Sequence, residues 1–122
     1  ILLVDDNPVN LKLVKLQLQR LGMSVDTAGS GEEALTKCRV EVFSLVLMDI
    51  QMPRLSGIDT ARLLQEQSSY RDIPIVAWTA NASESERSQF KAAGITDILP
   101  KPTSKEMFSA LLRKTFPLTT FH

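Results

Sequence analysis

Residues 1–10 read ILLVDDNPVN, and the fold turns on how this stretch is understood. Four apolar residues, Ile1 to Val4, run straight into two adjacent carboxylates, Asp5 and Asp6. An unbroken apolar run of this length reads as a strand buried on both faces, as the strands of parallel sheets are. Asn7-Pro8 follows at once, a side-chain cap and then proline at the first helical position. Strand and helix are therefore joined with almost nothing between them, which is the start of a strand–helix repeat.

The rest of the chain repeats the unit. Apolar runs of strand length recur at Met23 to Ala28, Leu45 to Met48, Ile75 to Trp78 and Ile98 to Leu99, alternating with segments of helical period. Ser30 with Glu33, Ser83 with Glu86 and Thr103 with Glu106 have capping-box spacing, and Gly22 and Gly94 stand where helices should stop. Five strand–helix repeats in 122 residues predict one α/β domain built on a parallel sheet, spanning residues 1–116, with a short tail from Pro117 to His122. His122, the single histidine, lies on that tail and is a poor catalytic candidate.

Composition narrows the function classes. Lys and Arg total 14, as do Asp and Glu, so no net field draws this segment to nucleic acid or to an anionic membrane. One cysteine, Cys38, excludes an intramolecular disulfide and a cysteine-based zinc site, and reads as a small core residue. No apolar run is long enough to span a membrane and nothing reads as a signal peptide, so the expected setting is cytoplasmic, within a parent that is free to be membrane-anchored. The opening on a strand without Met suggests a segment of a longer protein.

In open parallel sheets, ligands bind beyond the carboxyl ends of the strands. The residues at those ends are Asp5 and Asp6 after the first strand, Asp49 after the third, Thr79 after the fourth and Lys101 after the fifth. Three crowded carboxylates raise one another's pKa unless a cation neutralises them, and hard oxygen donors suit Mg²⁺, or Mn²⁺, better than a softer metal. Mg²⁺ keeps an open shell that it shares with phosphoryl groups. Lys101 can neutralise phosphoryl oxygens, while the Thr79 hydroxyl and the following amide, that of Ala80, can donate to them. Singly, each residue has a bland explanation: a helix cap, a surface lysine, a strand threonine. Together, they complement one charged ligand.

Four stretches carry a family resemblance: LLVDDNPVN, LVLMDIQMPRLSGID, IVAWTANA and GITDILPKP, in that order and spacing. They resemble the receiver domain of two-component response regulators, over essentially the whole chain. The DIQMP and TANA wording is most similar to receivers of hybrid sensor histidine kinases and phosphorelays. The resemblance implies a doubly wound, flavodoxin-like sheet of five parallel strands in the order 2-1-3-4-5, flanked by five helices. It implies that Asp49 accepts a phosphoryl group from phosphohistidine. Asp6, Asp49 and the backbone carbonyl of Gln51 then bind Mg²⁺ directly, Asp5 through a water, and Thr79 and Lys101 contact the phosphoryl oxygens. Lys101-Pro102 is expected to be cis, and Gly57 to supply the turn before the third helix.

Two positions depart from the family pattern. Ile98 stands where a Tyr or Phe usually swings inward as Thr79 moves, which puts the threonine–aromatic switch in doubt. Trp78 stands where a smaller aliphatic residue is common; it reads as core, or as filling the volume that the missing aromatic leaves.

Other functions fit less well. A Mg²⁺-dependent phosphatase of the haloacid dehalogenase type needs a second Asp two residues after the nucleophile as general acid and base, and this chain has Gln51 there. A degenerate receiver serving only as a scaffold would not retain every chemical position.

The first helix suggests a partner. At about 100° per residue, Leu11, Val14, Leu18 and Leu21 form the stripe expected to face the sheet. Val9, Leu13 and Leu16 form a second apolar stripe on nearly the opposite side. By the resemblance, that stripe docks a histidine phosphotransfer domain or a histidine kinase dimerisation bundle.

Overall fold

In the computed structural model, residues 1–80 and 84–116 are described. The elements run β1 (Leu2–Val4), α1 (Pro8–Arg20), β2 (Asp26–Ala28), α2 (Gly31–Val40), β3 (Val46–Asp49), α3 (Gly57–Gln65), a 3₁₀ turn (Ser68–Tyr70), β4 (Ile75–Thr79), α4 (Glu84–Ala92), β5 (Asp97–Pro100) and α5 (Lys105–Thr115). The five strands are all parallel, in the order β2-β1-β3-β4-β5. This is the doubly wound α/β sheet anticipated from the alternating pattern.

Alternation along the strands sorts side chains into two cores. Leu3, Leu47, Val76, Trp78 and Leu99 pack with Val14, Leu18, Phe108 and Leu112 beneath α1 and α5. Leu2, Val4, Val46, Met48, Ile75 and Ala77 pack with Leu35, Cys38, Leu64 and Phe90 beneath α2, α3 and α4. Phe90 and Phe108 are fully buried anchors of their helices, and each such side chain is worth about 1.5–3 kcal/mol of burial. Cys38 is buried, as a core cysteine should be.

Several local expectations shift. β2 starts at Asp26 rather than Met23, because the first rung of its ladder is Leu2 with Asp26; Met23 and Val25 instead pack half-buried against the α1 side of the sheet. β3 and β4 each extend one residue further, which brings Asp49 and Thr79 into the last rungs, opposite Trp78 and Pro100 respectively.

The helix caps follow side-chain chemistry. The Asn7 side chain accepts from the N–H groups of Val9 and Asn10, with Pro8 opening the helix. Ser30 accepts from the Glu33 N–H at 3.1 Å, while the Glu33 carboxylate reaches back to the Gly29 N–H. Thr103 does not cap α5. Its hydroxyl donates to the Pro100 carbonyl and accepts from the Trp78 indole, so Ser104 takes the cap and accepts from Met107 N–H. Gly22 and Gly94 do end helices, with φ of 90° and 87°, in the left-handed region that glycine enters without steric cost. The proposed cap at Ser83 and the tail from Pro117 to His122 lie outside the described residues.

Candidate functional site

Because β1 and β3 are neighbours at the centre of the sheet, the segments leaving their carboxyl ends converge. Asp5, Asp6 and Asp49 each offer a carboxylate oxygen, all within 4.8 Å of one another. Asp5 and Asp49 are buried and Asp6 is exposed. The donor set is three hard oxygens open on one side to solvent, which fits a small divalent cation such as Mg²⁺.

Each carboxylate is held differently. Asp5 accepts the Asn7 N–H at 3.0 Å, the Asn10 side-chain amide at 3.5 Å and the Lys101 ammonium at 3.1 Å. Burial pushes its pKa up, but the Asn7 N–H and the Lys101 ammonium outweigh burial and hold it below the ordinary carboxylate value. Asp49 accepts the Gln51 N–H at 3.3 Å and lies 3.5 Å from the Lys101 ammonium. Burial, followed by the negative charge of Asp5, raises it to about 6. Two neighbouring carboxyls are thus driven apart, one acidic and one basic for its type.

Lys101 reaches the cluster from the end of β5. Its backbone N–H donates to the Thr79 carbonyl at 3.0 Å, which ties the ends of β4 and β5 together. The Lys101-Pro102 peptide is cis. Thr79 is buried at the last rung of β4, and Ala80 follows it, exposed. The structure therefore brings the five strand-end residues to one edge of the sheet.

Gly57 has a different job from the one expected. Ser56 caps α3 and accepts from the Asp59 N–H at 3.2 Å, while Gly57 is the first helical residue. Its N–H donates to the Ile50 carbonyl at 3.1 Å, and a Cβ there would collide with the Asp49 carbonyl oxygen and the Ile50 Cα. Glycine is required for close approach, not for a turn.

The two unusual residues also resolve. Ile98 pairs with Ala77 and packs against the core beneath α2, α3 and α4, in a groove it shares with Thr79 and Phe90. Trp78 points to the other face, beneath α1 and α5, so it does not fill volume near Ile98. It is buried, yet it is more than core: the Lys101 ammonium lies over its ring, 4.4 Å from the centroid, and its indole N–H donates to Thr103 at 3.1 Å. Asn10, whose N–H takes part in the Asn7 cap, also turns its side-chain amide to the Asp5 carboxylate, a contact the sequence does not reveal.

On α1, Val14, Leu18 and Leu21 are buried and Leu11 is half-buried against the same core, so the sheet-facing stripe holds. Val9, Leu13 and Leu16 are 64%, 57% and 44% exposed, and with Pro8 and Lys12 they line a shallow apolar groove.

Set beside known proteins, this arrangement has close counterparts. The family profile described as "Response regulator receiver domain" matches residues 1–113. The chain belongs to that family. Among curated relatives of this receiver, the signal transduction histidine-protein kinase BarA of Escherichia coli (strain K12) is 35% identical over 117 residues, covering 96% of this chain and 13% of BarA. The receiver thus spans about an eighth of that relative's length. Among solved structures, Vibrio cholerae chemotaxis protein CheY4 matches with a TM-score of 0.91 and 32% identity, covering 94% of this chain and 96% of the other. The receiver domain of sensor histidine kinase PA1611 from Pseudomonas aeruginosa PAO1 matches with a TM-score of 0.85 and 34% identity, covering 93% of each chain. That structure is described as having a magnesium ion coordinated in the active site cleft. No described helix of the present receiver is long and apolar enough to cross a membrane.

Proposed function

We propose that Asp49 is the phosphoacceptor of this receiver domain and that its donor is a phosphohistidine. The observation that carries this is the pairing of one buried carboxylate, raised in pKa, with an ammonium 3.5 Å away and two further carboxylates at the same strand edge. An Asp49 oxygen attacks phosphorus in line with the departing imidazole. The P–N bond breaks, its electron pair stays on the imidazole nitrogen, and an aspartyl phosphate forms. Lys101 neutralises phosphoryl oxygens, and the Thr79 hydroxyl and Ala80 N–H donate to them.

Asp6, Asp49 and the Gln51 carbonyl would hold Mg²⁺ directly, or Mn²⁺ in its place, with Asp5 acting through a water; the donor set and the magnesium described for the PA1611 receiver support this. When bound, the ion supplies positive charge against the phosphoryl oxygens. With Gln51 where a phosphatase needs a proton-shuttling carboxylate, the chain serves as a phosphoacceptor rather than a turnover enzyme. Lacking an aromatic at Ile98, it does not report Thr79 movement through a swinging ring.

We read the parent as a hybrid sensor histidine kinase acting in the cytoplasm, supported by the description of relatives such as BarA as histidine kinases. The Val9, Leu13 and Leu16 stripe is then the docking face for a histidine phosphotransfer or kinase dimerisation bundle. The test is chemical. With Mg²⁺ and acetyl phosphate, intact mass should show one added phosphoryl group, absent from Asp49→Asn; undiminished labelling of that variant refutes the assignment.

A further inference from the structure

We propose that Trp78 is a positioning residue for phosphoryl transfer, holding the Lys101 ammonium over the acidic cluster. The inference rests on the reading of Asp49 as phosphoacceptor and of Lys101 as a phosphoryl contact. A lysine ammonium has three N–H directions on a flexible four-carbon stem. Here its neighbours are the Asp5 carboxylate at 3.1 Å, the Asp49 carboxylate at 3.5 Å and the face of the Trp78 ring, 4.4 Å away at its centroid. The ring occupies a direction that water would otherwise take. It attracts the cation through its quadrupole without offering a negative charge that would have to be outcompeted.

The ring is itself fixed. Trp78 sits in the last rungs of β4, opposite Asp49 on β3 and Leu99 on β5. Its indole N–H is locked to Thr103, whose hydroxyl is in turn bonded to the Pro100 carbonyl one residue before Lys101. Indole, Thr103 and the end of β5 thus make a closed bracket around the lysine. Burial of Trp78 on the α1 and α5 face anchors the bracket in the core. A smaller aliphatic residue at this position would remove both the ring face and the N–H, and leave the ammonium held by the Asp5 and Asp49 carboxylates alone.

Three variants and one spectrum test this. Trp78→Leu should slow acetyl phosphate labelling of Asp49 by about two- to thirtyfold, the span a cation–π contact covers. Mg²⁺ affinity should stay within about twofold, since the indole supplies no oxygen ligand to the ion. In a Lys101→Ala background, Trp78→Leu should cost nothing further. An unchanged rate in the first comparison, or an equal loss in the second, overturns the proposal, because the ring would then act through the fold or not at all. The wild-type protein supplies a test that does not depend on a variant folding: the Lys101 ε-methylene protons should be ring-shifted upfield in its NMR spectrum and should lose that shift in Trp78→Leu. Unshifted resonances in the wild type overturn the proposal. If the wild type is not labelled at Asp49 at all, the phosphoacceptor reading fails instead, and the ring shift still decides the Lys101 geometry.

Discussion

The Lys101 ammonium lies closer to Asp5, at 3.1 Å, than to Asp49, at 3.5 Å. The cation is thus shared between the carboxylate that anchors it and the one proposed to react. Asp5 is held acidic by this bond and the Asn7 N–H, while burial and the Asp5 charge leave Asp49 raised to about 6.

Mg²⁺ binding should therefore depend on pH. Below about pH 6 the ion has to displace a proton from Asp49, so affinity should be about tenfold weaker at pH 5 than at pH 7. Trp78 is the single tryptophan and lies beside Lys101, which makes its emission a convenient monitor. Affinity independent of pH across this range contradicts a raised Asp49.

The same shift has a consequence for stability without metal. The folded state binds the Asp49 proton more tightly than the unfolded chain does, so the stability this group contributes is fully present below about pH 4 and is lost as pH rises through about 6. Asp49→Asn carries no charge to repel Asp5. In chelator it should melt higher than the wild type at pH 7.5, with the difference vanishing toward pH 4. Mg²⁺ should raise the melting temperature of the wild type well above its effect on the variant. A variant less stable than wild type at pH 7.5 would show that the Lys101 pairing outweighs the repulsion.

Gly57→Ala should destabilise the domain by about 1–3 kcal/mol, because its Cβ meets backbone rather than a movable side chain. Urea unfolding should show a lower midpoint with an unchanged slope. The backbone it meets is that of Asp49 and Ile50, so acetyl phosphate labelling should also slow. Wild-type stability would mean that α3 can withdraw from the β3 end at no cost.

Leu13→Asp addresses the partner face. Leu13 is 57% exposed and belongs to neither core cluster, so stability and acetyl phosphate labelling should stay at wild-type level. Transfer from a phosphorylated histidine phosphotransfer protein should fall by tenfold or more, in the range typical of an apolar anchor made charged. Equal rates from both donors would remove this stripe from the docking surface.

The sequence by itself determined the architecture and picked out most of the candidate site. Short unbroken apolar runs such as Ile1 to Val4, closed by turn and cap residues, fit strands buried on both faces, and the carboxyl ends of such strands are where ligands collect. Asp5, Asp6, Asp49, Thr79 and Lys101 were legible because each sits at a strand end, a position that pattern alone reveals. What tertiary structure decided is everything that depends on which strands are neighbours and which face a side chain takes. Trp78 looks like core in the chain, twenty-three residues from Lys101, and only the parallel pairing of β4 with β5 brings the ammonium over its ring. Thr103 has the spacing of a cap, but the indole and the Pro100 carbonyl claim its hydroxyl and pass the cap to Ser104. Gly57 resembles a turn residue until α3 is seen to rest on the backbone of Asp49. Periodicity is a local property of the chain; competition for a hydroxyl, an ammonium or a few ångströms of space arises only between segments that folding has brought together.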